Sequence, residues 1–438
     1  MQDLLTEAIA HHEAFEFEAA ETLYRECLSR QPANPEVMNL LGTLLAQTGR
    51  SAEGETMIRQ VIDRIPEFAP AWNNLGSVLS SQGRSGEAEK AYRHAANLEP
   101  RFHEAHTNIG MELVRQGRVA EAAESLQHGA WLNRGPGNLA ALFQGGPREI
   151  GRSRLVHDLE QLDYLSERGL LEERYQPVRE AMRAALAAAG EAAVVQPSPQ
   201  QSQKIARGLN RLIHFHNAPA CAGPAINPNL DRTAIEESYR TGSPGITHFD
   251  DLLTPEAMIG IRRFCLESTF WFREYPRGYL GAMMQDGFCC PLLMQIAEEL
   301  RLALPGVFKQ HTLREWWAFK YDSKLDGIPL HADHAAVNVN FWITPDAALR
   351  DPDAGGLTVW DKEAPLDWDF ARYNKDEAAM RAFLRDERAE AIYVPYRQNR
   401  VVMFNSDLFH ETGAIRFRDG YENRRINITF LYGDRQHG

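Results

Sequence analysis

At 438 residues the chain is longer than one hydrophobic core usually supports, so two or more domains are expected, each with a core of its own. Hydrophobic residues at 44% and charged residues at 24% are ordinary for a soluble globular protein, and no stretch reaches the roughly 20 apolar residues that span a bilayer. A net charge of −13 argues against general nucleic-acid binding, whose affinity comes from clustered Lys and Arg on phosphates, so neither nucleic acid nor membrane is expected as a partner.

The N-terminal segment MQDLLTEAIAHHEAFEFEAAE is acidic and helical in pattern, without the basic start, apolar stretch and cleavage site of a secretory signal. A cytoplasmic protein is expected. The five cysteines (Cys27, Cys221, Cys265, Cys289, Cys290) are scattered, form no C-x-x-C pair, and read as reduced and structural.

The N-terminal third repeats itself every 34 residues: Gly42, Gly76 and Gly110 share that spacing, and so do Gly49, Gly83 and Gly117, each followed by arginine at 50, 84 and 118. The same register aligns Glu53, Glu87 and Glu121 and then Pro32, Pro66 and Pro100. The first glycine lets two helices approach, the second closes the turn between them, and the proline stops the second helix. A first repeat (about 2 to 34) carries Ala8 and Phe15 at the glycine positions, and a fourth (about 104 to 137) has Arg134 where proline is expected. With WNNLGSVLSSQGRSGEAEKAYRHAANLEP at 72 to 100, the segment resembles the tetratricopeptide repeat. The resemblance implies an α-solenoid over 1–140 whose concave face binds extended peptides or other proteins; an array that only assembles or props the chain is the alternative.

GGPREIGRS near 145 to 153 breaks the repeat, and a Leu-, Glu-, Arg- and Ala-rich stretch from about Arg154 to Ala193 reads as helix capping the array. QPSPQQSQ at 196 to 203 reads as a flexible joint, so 141–205 is expected to be helical cap and linker. Beyond it, Ile246 to Phe249 reads as a strand, and Thr254-Pro255-Glu256 as a helix start with threonine as N-cap. From Trp316 the runs WWAFKY, AVNVNFWIT, GLTVW, AIYVPY, RVVMF and INITFLY predict short antiparallel strands of a sandwich or jelly roll over 206–438.

Two imidazoles and one carboxylate on one face of a metal leave open positions for a bidentate co-substrate and dioxygen. In PLHADHAAVNVNFWIT, strand alternation predicts that His331 and Asp333 share a side, and VVMFNSDLFHET supplies His410, 79 residues on and just past a strand end. His248-Phe249-Asp250 also matches H-x-D but precedes most of the strands, His214 and His216 read as ordinary histidines, and His334 is out of register with Asp333. Fifteen residues past His410, Arg425 opens the last strand, with Asn427 and Thr429 on its face; its planar fork suits a carboxylate, and Arg424 is the runner-up.

The series His331, Asp333, His410 and Arg425 makes residues of about 245 to 438 resemble the iron(II)/2-oxoglutarate-dependent dioxygenases, most of all their prolyl-hydroxylase-like branch. Further matches are Tyr321, where that branch places a tyrosine near the co-substrate, and Gly355-Gly356-Leu357. A long loop from Asp361 to Glu390 departs from the pattern, and so does Arg425 itself, where that branch often has lysine. The resemblance implies a double-stranded β-helix with flanking helices, Fe(II) on His331, Asp333 and His410, 2-oxoglutarate held by Arg425, and O2 as co-substrate. Tyr321, Asn338, Asn340 and Asn427 are expected as further co-substrate contacts, Asn338 and Asn340 alternatively satisfying backbone groups. The expected reaction is hydroxylation of a protein or peptide residue recruited by the repeats; oxidation of a small metabolite and a non-catalytic scaffold are the alternatives.

Overall fold

The structure, a computed structural model, describes residues 2–138, 146–242, 245–309 and 311–435. Two units divide between Leu132 and Asn133. Among the described residues the first holds helical hairpins running from Gln2–Glu13 through to Val119–Arg134.

The repeat signature has a steric origin. A Cβ at Gly42 would stand 2.7 Å from Ile58 Cγ1, one at Gly76 2.6 Å from the Tyr92 ring, and one at Gly110 2.5 Å from Leu126. Each small residue therefore receives a bulky side chain from the second helix of its own hairpin. Ala8 and Tyr24, both fully buried, occupy the matching positions in the first repeat. The turn glycines Gly49, Gly83 and Gly117 have φ of 87°, 74° and 76°, which L side chains rarely adopt; Phe15 is held there at φ 61°. The recurrent arginine ties neighbouring hairpins together: Arg84 bonds Glu55 of the preceding repeat at 2.8 Å and Glu87 of its own at 2.7 Å, and Arg118 does the same with Glu89 and Glu121 at 2.8 and 2.6 Å.

In the second unit the stretch read as one helix is two, Arg152–Glu167 and Gln176–Ala189, separated where Gly169 turns with φ 67° and Glu173–Tyr175 forms a 3-10 turn. Leu155, Leu159, Leu162, Val178, Met182 and Ile205 form a core between these helices and the next segment. That next segment, expected to be a flexible joint, is a helix, Pro199–Ile205. Its cap explains the error: Ser198 Oγ accepts from Gln201 N at 3.3 Å while Gln201 Oε1 accepts from Ser198 N at 2.8 Å, so the polar residues close a capping box.

The strands are β1 Ile150–Gly151, β2 Val194–Val195, β3 Ile246–Phe249, β4 Arg273–Glu274, β5 Leu280–Met283, β6 Leu313–Lys320, β7 Lys324–Leu325, β8 Val337–Trp342, β9 Leu357–Glu363, β10 Ala391–Val394, β11 Val401–Asn405, β12 Leu408–Thr412, β13 Ile415–Arg416 and β14 Ile426–Tyr432. A seven-stranded sheet has the order β3-β11-β8-β14-β6-β5-β4 and a three-stranded sheet the order β10-β9-β12, with β1-β2 and β13-β7 as two-stranded pairs. All of these pairings are antiparallel.

Alternation gives the large sheet two different faces. On one face Trp342, Val402 and Phe404 pack with Leu357, Val359, Val394 and Leu408 of the smaller sheet. On the other, Trp316, Lys320 and Tyr432 bond to Phe288 O, Cys265 O and Ala297 O, in and beside the helices Pro255–Glu267 and Pro291–Ala303. The helix Pro255–Glu267 begins at Thr254, whose Oγ1 accepts from Ala257 N at 3.3 Å. The long segment expected to be loop between Asp361 and Glu390 contains two helices, Phe370–Asn374 and Glu377–Asp386. Trp368, Tyr373, Met380 and Leu384 of this segment pack with Leu330, Ala332 and Phe409, the neighbours in sequence of the three candidate ligands.

Candidate metal centre

His331, Asp333 and His410 meet, their ligand atoms all within 4.8 Å of one another. His410, expected just past a strand end, lies inside β12, because Asn405 and Leu408 end one strand and begin the next with only Ser406 and Asp407 between them. His331 and Asp333 precede β8 in irregular backbone rather than on a strand, so the alternation expected for them is not what brings them together. Backbone pairing does so instead. His331 and His410 form an isolated bridge, exchanging N–H···O bonds of 3.0 and 2.8 Å, and Asp333 N donates to Ser406 O at 3.1 Å. Leu330, Ala332 and Phe409 point the opposite way into the apolar cluster described above, which clamps the ligand-bearing backbone.

The imidazoles are oriented by their far nitrogens. His331 Nδ1 bonds Pro329 O at 2.8 Å and His410 Nδ1 bonds Leu408 O at 3.0 Å; a carbonyl only accepts, so each Nδ1 carries a proton and each ring turns its Nε2 toward Asp333. Those Nε2 atoms stand 4.0 and 3.5 Å from the Asp333 carboxylate oxygens. Atoms each roughly 2.1 Å from one ion are at most about 4.2 Å apart, so a small side-chain rotation completes a three-ligand site. Burial, together with the neighbouring His410, pushes the His331 imidazole down to about 4, which keeps it neutral. Burial alone would raise the Asp333 carboxyl, but His410, His331 and Asn338 outweigh it and hold it below its ordinary value.

Asn338 Nδ2 donates to Asp333 Oδ2 at 2.7 Å and so fixes the carboxylate. From there a line of polar side chains runs through the apolar interior. Asn340 Nδ2 donates to Thr429 Oγ1 at 3.1 Å, Asn427 Nδ2 to the same oxygen at 3.4 Å, and Arg425 Nη1 to Asn427 Oδ1 at 3.3 Å. Arg425 is 1% exposed, its Nε donates to Gly355 O at 2.9 Å, and its guanidinium lies 4.8, 5.5 and 5.8 Å from the Tyr321, Trp342 and Tyr396 ring centres. No aspartate or glutamate pairs with it among the described residues. Among the described residues Tyr321 Oη, Asn338 Oδ1 and Asn340 Oδ1 are buried without a hydrogen-bond partner. A buried cation without a counter-anion, beside unmet polar groups, is a cradle with unused capacity for a carboxylate. Arg424 faces elsewhere, bound to Glu160 at 2.8 Å and to Asp322 at 3.5 Å. Trp342 and Tyr396, which wall the guanidinium, carried no spacing that would have marked them in the sequence.

The rival histidines lie outside this cluster. Asp250 of the competing H-x-D is ion-paired with Arg397 and Arg400 at 2.7 and 2.6 Å. His214 bonds Glu267 O at 3.0 Å, and His216 approaches the Glu267 carboxylate at 3.3 Å. His334 bonds the Tyr373 hydroxyl at 3.1 Å and lines the cleft without joining the cluster.

His331 and Asp333 open into a cleft of about 810 Å³, walled by aromatic side chains from the β4–β5 hairpin (Tyr275, Tyr279), from β6 (Trp317, Phe319) and from the helical insertion (Trp368, Phe370, Tyr373).

Tetratricopeptide repeat family models match residues 11–79 and 69–102. Solved structures similar to the chain include MamA from Desulfovibrio magneticus RS-1, 20% identical over 30% of this chain and 75% of that one with a TM-score of 0.27. The Sgt2 tetratricopeptide domain from Aspergillus fumigatus is 20% identical over 28% of this chain and 81% of that one, with a TM-score of 0.25. No curated protein matches the chain. The N-terminal region is thus made of tetratricopeptide repeats, an architecture that suggests protein interaction, and no helix among the described residues is long and apolar enough to cross a membrane.

Proposed function

We propose that the second unit is an iron(II)- and 2-oxoglutarate-dependent oxygenase that hydroxylates a residue of a protein or peptide recruited by the repeats. The observation that carries this reading is the convergence of His331, Asp333 and His410, the first two of which line a cleft. Arg425, buried without an acidic partner, supports it as the clamp for a dicarboxylate. The antiparallel order β11-β8-β14-β6, packed against β10-β9-β12, supports a double-stranded β-helix, and we read the two sheets as that fold.

Bound iron(II) with 2-oxoglutarate and O2 supplies oxidative decarboxylation to succinate coupled to insertion of one oxygen into a C–H bond. The chain's own residues do the positioning. His331 and His410 present their Nε2 atoms, Asp333 brings one negative charge, and Asn338 keeps that carboxylate from rotating. Arg425, with Tyr321 and the asparagine ladder, holds the far carboxylate, while Trp342 and Tyr396 exclude water from that ion pair and so strengthen it. The aromatic walls shield the reacting centre and seat the substrate.

The test is succinate release from 2-oxoglutarate by wild type against Asp333→Ala, across a peptide panel; equal release from both would end the proposal. A cleft of about 810 Å³ is also the size that small-molecule sites take, so metabolites belong in the same panel.

A further inference from the structure

Glu315 lies in the wall of the cleft beside the metal centre. Its place follows from strand register: Leu431 of β14 pairs with Glu315 of β6 on one side and with Asn338 of β8 on the other. Glu315 therefore shares a face with the asparagine that fixes Asp333, two strand spacings away, or about 10 Å between backbones. Trp317, next but one on β6, is on the same face and also lines the cleft.

The charges that face the cleft are unequal. Arg435 is spent on Asp407, at 2.5 Å. The carboxylates of Asp333, 2-oxoglutarate and the metal, taken with buried Arg425, sum to about zero in the proposed complex. Glu315 is exposed and among the described residues has neither an ion pair nor a hydrogen bond to its carboxylate, and exposed Asp369 adds a second negative charge. Although the residue is exposed, the cleft walls screen its carboxyl from part of the solvent, and this, with the charge of Asp333, pushes the Glu315 carboxyl up, which an incoming cation would reverse. Aromatic faces beside an unpaired carboxylate are the chemistry that takes a cation on an alkyl stem. The net charge of −13 steers the same kind of partner inward.

We infer that the cleft takes a peptide by a basic side chain, lysine or arginine, with its cation on Glu315 and its methylenes against Trp317. This rests on the reading of the cleft as the substrate site of the oxygenase, and it names the substrate class.

The test is equilibrium binding of otherwise neutral nonapeptides with one central lysine, arginine, norleucine or glutamate to the full-length chain, beside succinate release with the same peptides. Lysine or arginine is expected to bind at least about tenfold tighter than norleucine, with the preference lost in Glu315→Gln and turned toward glutamate in Glu315→Lys. Both variants change an exposed side chain, and thermal melts check that they fold. Equal binding of lysine and norleucine peptides, no binding of any peptide, or a preference that survives Glu315→Gln overturns the inference. The two readings fail separately. Peptide-stimulated succinate release without a basic preference sinks only the inference, whereas a Glu315-dependent preference with no more release than Asp333→Ala sinks only the oxygenase.

Discussion

Asn338 Nδ2 donates a 2.7 Å hydrogen bond to Asp333 Oδ2, so a buried strand residue decides where the one carboxylate of the candidate metal centre points. Partners of this kind commonly change metal affinity by about ten- to a hundredfold. Asn338→Ala is expected to weaken binding of a divalent ion by about tenfold, and Asp333→Ala to abolish it. Calorimetric titration of the metal-free chain reads both, and an unchanged affinity in Asn338→Ala would remove its orienting role.

Arg425 has backbone and amide partners but no acidic one among the described residues, so its removal leaves none of their carboxylates stranded in the core. Arg425→Gln is expected to raise the KM for 2-oxoglutarate by at least about a hundredfold while metal affinity stays within about threefold. Arg424→Gln is expected to leave that KM alone and to lower stability, since it breaks the ion pairs with Glu160 and Asp322. Equal loss of metal and co-substrate in Arg425→Gln would count against the assignment.

The His331 imidazole, pushed down to about 4 by burial and by His410, titrates near 6.5 when unfolded. Its folded state therefore binds fewer protons than the unfolded state between those two values. Stability of the metal-free chain should fall as pH drops from about 6.5 to about 4, and this group adds no slope above about 6.5. In His331→Gln that part of the slope is absent, so the difference in Tm between wild type and variant should narrow on acidification. Parallel curves would contradict the assignment.

Phe15 is 78% exposed and holds φ at 61°, the left-handed turn conformation that glycine supplies at 49, 83 and 117. Phe15→Gly removes a strain of about 1 kcal/mol and should raise the unfolding free energy of the repeats by about that much. Gly83→Ala should lower it by a similar amount. Denaturant unfolding followed by circular dichroism reads both, and a loss of stability in Phe15→Gly would show that the ring's edge contact with Phe17 outweighs the backbone strain.

Much of the helical array could be read without coordinates because each feature is local. The 34-residue spacing places Gly42, Gly76 and Gly110 where a bulky side chain from the next helix lands, and a steric rule repeated along the chain becomes a pattern in the letters. Capping was legible where proline and threonine stood together at 254 to 255. It was missed at Ser198, where composition suggested a joint although Gln201 stood at the capping-box position. The helices of 361–390 were missed because they are short, five and ten residues, although the second turns Met380, Phe383 and Leu384 to one face.

The metal ligands divide the two kinds of information. Residue types and order along the chain were enough to nominate His331, Asp333 and His410, because imidazole and carboxylate chemistry is a property of the side chain alone. Their meeting depended on a bridge between segments 79 residues apart, and on Asp333 binding the backbone of Ser406, neither of which alternation within one strand describes. The choice between Arg424 and Arg425 was likewise open in the sequence. Only the packing of β14 between β6 and β8 turns one arginine toward Glu160 and buries the other against Tyr321 and Trp342, since opposite faces of a strand meet different neighbours. Local periodicity records what a segment must do by itself, whereas convergence and charge pairing belong to contacts between segments and exist only once the chain has folded.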